Sequence, residues 1–397
     1  MVRIFVKTMP RLVNLIALCL SAALLAICVL LPRKAVSQVP SSAGVPMTTQ
    51  DRLRMHGSWP TKGTAAQEEF VDDSQCAKCH SAITRTQIMT PMGRASSSAD
   101  ESEILRKNPS LSFHSGAHEY EITRGQSGFQ FSVSNGSKSL SASLSWAFGL
   151  GNKGQTYIYS QGGSWYESRL SFYKTLQGLD VTTGNLSAKS YSLEGSLGRV
   201  MDVEDARRCF GCHTSQSTTS NRFHPESALP GVRCQSCHGP GAKHVSAMMA
   251  GNIDVGRKSI LNPRKLSPAD SVDFCGACHR TWGDVIDAGI VGVANVRFQP
   301  YRLENSRCWG RGDDRLTCIA CHHPHEQLAH DPGFYDEKCL RCHVTNEDAR
   351  REKDHPGGAC PVGTSNCAGC HMPKVEIPSM HAPFTDHFIR VVQTSTP

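Results

Sequence analysis

Apolar and polar residues alternate along this chain in three distinct ways. From Leu12 to Leu31 the apolar run is broken only by Asn14 and Ser21, long enough to span a bilayer as a helix. Further on, Phe129, Phe131 and Val133 alternate with polar residues, Asn135-Gly136 gives a type I′ turn signal, and Leu140, Ala142, Leu144 and Trp146 alternate in turn. That pattern predicts a hairpin. Thr156–Tyr159 and Trp165–Tyr173 predict two more strands around Gln161-Gly162-Gly163-Ser164, so a small antiparallel β-unit is expected over about 111–180. Beyond residue 200 neither period persists, and short helices are expected. The best marked one takes Ser267 as N-cap, Pro268 at its first position and Asp270 in its first turn, and runs to His279.

The N-terminal run reads as an export segment. Arg3, Lys7 and Arg11 precede it, and Ala35-Val36-Ser37 after it has the small-x-small form of a cleavage site, while Arg33 and Lys34 favour retention as an anchor. Either reading places the rest of the chain outside the cytoplasm, on the periplasmic or cell-surface side of a bacterial membrane. Five basic residues and no acidic ones lie in the first 37 positions, leaving 37 basic against 35 acidic, a balance of +2. This excludes a case for nucleic-acid binding.

Only 39 % of the residues are hydrophobic and 7 % aromatic, a thin supply for a core of this length, whereas 18 are cysteine. Fourteen of those cysteines fall in seven Cys-x-x-Cys-His motifs: Cys76-Cys79-His80, Cys209-Cys212-His213, Cys234-Cys237-His238, Cys275-Cys278-His279, Cys318-Cys321-His322, Cys339-Cys342-His343 and Cys367-Cys370-His371. Random order of this composition would give roughly 0.04 such motifs. Two thiols three residues apart share one side of a helical turn and can both form thioethers to haem vinyl carbons, and the following His points its imidazole at the iron. Zinc needs no His after every second Cys, and a disulfide framework needs none at all. The motifs therefore imply seven covalently bound haem c groups, whose apolar faces would supply much of the missing core.

The expected architecture is a mostly irregular, short α-helical multihaem cytochrome fold with an inserted small antiparallel β-unit and an N-terminal hydrophobic helix. Its parts are a signal peptide or membrane anchor (1–37), a flexible Ser/Pro/Gly/Thr/Gln-rich linker (38–70), a first haem segment (71–110), a β-rich insert (111–200) and a six-haem domain (201–397).

The sixth iron ligand separates a relay from an enzyme, because a filled position suits electron transfer and an open one admits small molecules. Eleven His remain after the seven proximal ones. His224, His244, His325, His381 and His387 stand first as distal ligands, followed by His330 and His355. His323 adjoins the proximal His322, and His56, His114 and His118 lie away from the dense region. Met89 or Met92 could serve the first haem, or both could be packing residues. Cys308 and Cys360, outside the motifs, are expected to form a disulfide.

The run C-Q-S-C-H-G-P-G-A-K-H (234–244) resembles a motif of multihaem cytochromes related to the tetrahaem electron acceptors of hydroxylamine oxidoreductase. C-I-A-C-H-H-P-H (318–325), C-A-G-C-H-M-P-K (367–374) and H-A-P-F-T-D-H (381–387) resemble the C-terminal part of exported bacterial cytochromes with doubled motifs. The likeness covers roughly 205–390 and, more loosely, 74–96. It implies distal ligation by His244, His325, His381 and His387, and a role in electron transfer between redox partner proteins, among them a respiratory complex in the membrane. The same superfamily holds reductases of small nitrogen and sulfur oxyanions. This chain has no C-x-x-C-K motif and no recognisable cross-linking Tyr, which sets it apart from the Lys-ligated nitrite reductases and the hydroxylamine oxidoreductases.

Overall fold

The computed structural model describes residues 63–184, 192–310, 315–343, 360 and 362–391, all within one compact unit, Thr48–Pro397. The N-terminal hydrophobic segment, most of the linker, His56 and His355 lie outside the described residues. Among the described residues, no helix is long and apolar enough to cross a membrane.

The β-unit is the largest element of the fold, which corrects the expected mostly irregular, short-helical architecture. Nine strands form one antiparallel sheet: β1 (Ser96–Ser98), β2 (Ser110–Ser115), β3 (His118–Gly125), β4 (Gly128–Ser134), β5 (Ser139–Phe148), β6 (Gly154–Gln161), β7 (Ser164–Tyr173), β8 (Gly178–Val181) and β9 (Gly198–Met201). The meander β2 to β8 curls until β2 lies against β8, a nearly closed, barrel-like sheet, while β1 pairs with β5 and β9 with β7. Its inside is a continuous apolar core that includes Leu105, Ile122, Phe129, Phe131, Val133, Tyr157, Tyr159, Leu170 and Phe172. Polar flanking strands such as Ser110–Ser115, in which Leu111 is the one buried residue, hide this extent from a hydropathy reading.

Both hairpin expectations hold in outline. Gln161 pairs with Ser164 across Gly162-Gly163, both at positive φ as a type I′ turn requires. In the earlier hairpin Ser134 pairs with Ser139, and Asn135 N–H donates to the Lys138 carbonyl (3.1 Å). Only Gly136 has positive φ there, so the turn centres on Gly136-Ser137, one residue later than expected.

A bulge between Leu144 and Trp146 changes what the sheet can hold. Before it, Ala142 and Leu144 face the barrel core; after it Ala147 does, and Trp146 and Phe148 turn to the opposite face. The extra residue inverts the alternation. Trp146, Phe148, Trp165 and Phe223 then surround Phe210 with ring centres 5.0–5.5 Å away.

Phe210 belongs to one of the short helices that carry the cysteine motifs or lie between them. They include α1 (Asp73–Gln87), α2 (Val203–His213), α3 (Cys234–His238), α4 (Ala242–Met249), α5 (Ile253–Lys258), α6 (Pro268–His279), α7 (Trp282–Asp287), α8 (Gln299–Glu304), α9 (Cys318–Cys321), α10 (Pro332–Leu340) and α11 (Cys367–His371). Helix α6 is the one expected, and the Ser267 hydroxyl accepts the Asp270 N–H (3.2 Å). Fully buried apolar side chains are few around these helices: the largest are nearly all in the sheet or, like Leu105, packed against it, with Val272 and Phe210 the members on motif-bearing helices. The cysteine-rich part is thus short of core, as its composition implied.

Candidate haem sites

Most motifs start or end a short helix, which puts the two cysteines of each on one side of a turn. Burial pushes the Cys209 thiol up to about 12 and that of Cys237 to about 11. Such surroundings favour a neutral sulfur, as in a thioether, over a thiolate ligand of zinc.

The imidazoles carry the more specific signal. Nδ1 of His213 lies 3.1 Å from the Ala95 carbonyl, that of His238 2.8 Å from Leu261 O, and that of His371 2.7 Å from Arg390 O. A carbonyl can only accept, so each Nδ1 carries the proton and each Nε2 keeps its lone pair for a metal. Two of the expected distal residues share this arrangement: His244 Nδ1 faces Gly256 O (2.8 Å) and His387 Nδ1 faces Thr385 O (3.0 Å). Burial holds the pKa of His213, His279 and His322 below the usual histidine range and that of His387 down to about 4, so these rings are neutral at pH 7. His279 is depressed by burial although its surface is open, as a side chain on the wall of a slot must be. These residues fit covalently attached haem.

Two pairs of rings come together. His238 and His325 have centroids 6.0 Å apart and planes within 9°, and His322 and His387 are 6.1 Å apart. Two imidazoles on opposite sides of one metal ion, each bonded at about 2 Å, have ring centres roughly 6 Å apart. The other expected ligands are placed differently. His381 Nε2 is 2.8 Å from the Asp180 carboxylate, and its ring meets Tyr173 edge-on at 4.8 Å. His224 Nδ1 lies 3.5 Å from Glu226 at the surface. His323 meets the edge of His325, and His330 is exposed. His114 and His118 lie on β2 and β3. Met89 is exposed, and its carbonyl accepts from the Gln327 amide.

The thiols of different motifs meet. Cys76 contacts Cys234, within a group that includes Asp73 and whose ligand atoms lie within 4.8 Å of one another. Arg233 holds Asp73 there at 2.9 Å. Cys212 contacts Cys278, Cys275 contacts Cys318, and Cys339 contacts Cys367. Cys237 lies close enough to Cys275 and Cys278 to interact electrostatically, as Cys321 does to Cys339 and Cys342. All seven motifs are joined in one network that runs first–third–fourth–fifth–sixth–seventh, with the second attached at the fourth. The disulfide expected between Cys308 and Cys360 is not formed: Cys360 is a free thiol beside the His371 ring.

Sequence reasoning missed the residues that hold this arrangement. Asp386, almost fully buried, accepts from Arg302 Nε and Nη2 (2.8 Å each), from Arg390 Nη1 (2.6 Å) and from the Phe388 amide (3.0 Å). It fixes the backbone beside His387. Ser96 on β1 donates to the His213 carbonyl (2.6 Å) and accepts the Gly231 N–H (2.9 Å). The strand thus braces the second motif against the third. The acid four positions before Arg390 and one before His387 was a usable signal, since a buried carboxylate needs such partners.

Thioether-spaced cysteines and histidines whose Nδ1 is held by a backbone carbonyl mark a multihaem c-type cytochrome. A family model and a curated relative agree. Residues 165–239, which hold the end of the sheet, α2 and the second and third motifs, match the family model of cytochrome c554 and c-prime. The multihaem cytochrome MtrA of Shewanella baltica (strain OS185) is 23 % identical over 181 residues, which covers 42 % of this chain and 46 % of that protein. The chain thus spans about half the length of this curated relative. The crystal structure of the outer cell wall cytochrome OcwA is similar over 82 % of this chain and 80 % of that one, at 14 % identity and a TM-score of 0.44.

Proposed function

We propose that this protein is a seven-haem electron carrier that works outside the cytoplasmic membrane. The observation that carries this reading is the series of thiol contacts between motifs, linked to one another where Cys237 and Cys321 come within electrostatic range of the next motif. Attached haem supplies one-electron chemistry at iron. The chain's part is to set spacing, ligation and exposure. Contact between thiols of successive motifs keeps the attached groups adjacent. Sequence separation does not matter for this: Cys76 and Cys234 meet although 157 residues lie between them in the chain.

The ring pairs support an assignment of the distal ligands. His325 would hold the iron of the third motif together with His238, and His387 that of the fifth together with His322. His244, with its Nε2 free, is a third distal ligand. The first and seventh motifs end the network and expose Cys79, His80 and Cys370 at the surface. They are the points at which redox partners, including a membrane respiratory complex, would exchange electrons.

Low-temperature EPR of the oxidised, fully matured protein tests this. Seven low-spin ferric haems support the relay. A high-spin haem whose signal shifts on adding nitrite or hydroxylamine would replace it with a reductase.

A further inference from the structure

A cleft of about 210 Å³ opens between Cys278, His279, Arg280, Arg297 and Phe298. It lies where the second and fourth motifs meet, since Cys212 contacts Cys278 and feels the charge of Arg280. Among the described residues, neither Arg280 nor Arg297 reaches a carboxylate. Arg297 lies over the Phe298 ring at 4.9 Å, and its Nη1 reaches only the Met380 sulfur (3.5 Å). Its Nε is buried without a partner, as is Gln299 Oε1 two residues on. Arg280 holds a φ of +68°, a backbone conformation that side-chain-bearing residues rarely adopt. That strain aims its chain into the cleft immediately after the proximal His279.

Guanidinium stays charged at any ordinary pH, so two of them cannot relieve their repulsion by losing a proton. Burying such charges is unfavourable unless an anion joins them. The planar fork of Arg matches a carboxylate or a small oxyanion through paired N–H donors. We infer that Arg280 and Arg297 form a two-guanidinium clamp for a carboxylate or small oxyanion. A propionate of a haem attached at the second or fourth motif could deliver that group, and so could a free ion such as nitrite or sulfite. The clamp rests on the haem-bearing reading above.

The test uses the full matured chain, with Arg297→Gln, Arg297→Lys and Arg280→Gln beside the wild type. Haem content is measured first by pyridine haemochrome, so that loss of the haem reading is distinguishable from loss of the clamp. Redox titration and calorimetry with nitrite and sulfite follow on samples of equal haem content. If a propionate is held, one midpoint potential falls in Arg297→Gln and Arg280→Gln, because a positive charge beside the haem is gone. It falls less in Arg297→Lys, and neither ion binds the wild type. If a free oxyanion is held, nitrite or sulfite binds the wild type and binds Arg297→Gln at least tenfold more weakly, with potentials unchanged in its absence. Unchanged potentials in all three variants, together with no difference in anion binding, would overturn the clamp.

Discussion

Asp336 on α10 accepts the backbone N–H groups of Asn366 and Cys367 through its two carboxylate oxygens, each at 2.7 Å. The side chain of one cysteine-bearing helix thereby satisfies the open first amides of another, α11, whose own N-cap residue, Asn366, makes no side-chain cap. Burial alone would raise the Asp336 pKa, but these amides outweigh it and hold the carboxyl below its usual range. Asp336→Ala should destabilise the protein by about 1–2 kcal/mol and loosen the seventh motif. Asp336→Asn, which keeps one acceptor, should recover part of the loss. Chemical denaturation followed by haem absorbance checks both.

Removing a distal ligand should convert one haem without losing it. His325→Ala and His387→Ala are each expected to show an added high-spin ferric signal and new binding of imidazole or carbon monoxide, with haem content unchanged. His381→Ala should leave the EPR spectrum as it was, because His381 Nε2 is engaged by Asp180.

The aromatic cluster makes the sheet a brace for the second motif. Phe210→Ala removes the ring around which Trp146, Phe148, Trp165 and Phe223 gather, and should lower stability by about 3–5 kcal/mol. Spectral change should concentrate on one haem, since His213 lies three residues on with its ring stacked on Phe148 at 5.1 Å.

A pH dependence is expected from Glu304 on α8. Burial, with the Asp273 charge adding to it, pushes its carboxyl from 4.5 to about 7. The folded state therefore holds a proton that the unfolded chain has released between those values. The stability this provides is complete below pH 4.5 and lost as pH rises through 7. The loss is on the order of 3 kcal/mol, at about 1.4 kcal/mol per unit. Denaturation midpoints should fall across that window in the wild type and stay flatter in Glu304→Gln.

The Cys-x-x-Cys-His motifs stand out in the sequence because the spacing that covalent attachment requires fits within five residues. The helix Pro268–His279 was legible for a similar reason, since Ser267, Pro268 and Asp270 are local signals. The extent of the sheet was not. Trp146 continues the alternation of Leu140, Ala142 and Leu144 in the sequence, yet the bulge turns it to the other face, and no residue type announces an extra residue in a ladder. Short polar strands such as β1 and β9 take their structure from partners far away in the chain. Orientation of the ligands was equally hidden, because Ala95, Leu261, Gly256, Thr385 and Arg390 act through backbone carbonyls that every residue possesses.

The meeting of Cys76 with Cys234 has another side during biogenesis. With the proposed location outside the cytoplasm, both would be thiols in an oxidising compartment before haem is attached, and the fold brings them within reach of each other. The same holds for Cys212 with Cys278, Cys275 with Cys318 and Cys339 with Cys367. A chain that collapsed first would cross-link motif to motif and seal itself against its cofactors. Maturation therefore has to run ahead of folding, with each pair of sulfurs alkylated while its future neighbour is still distant.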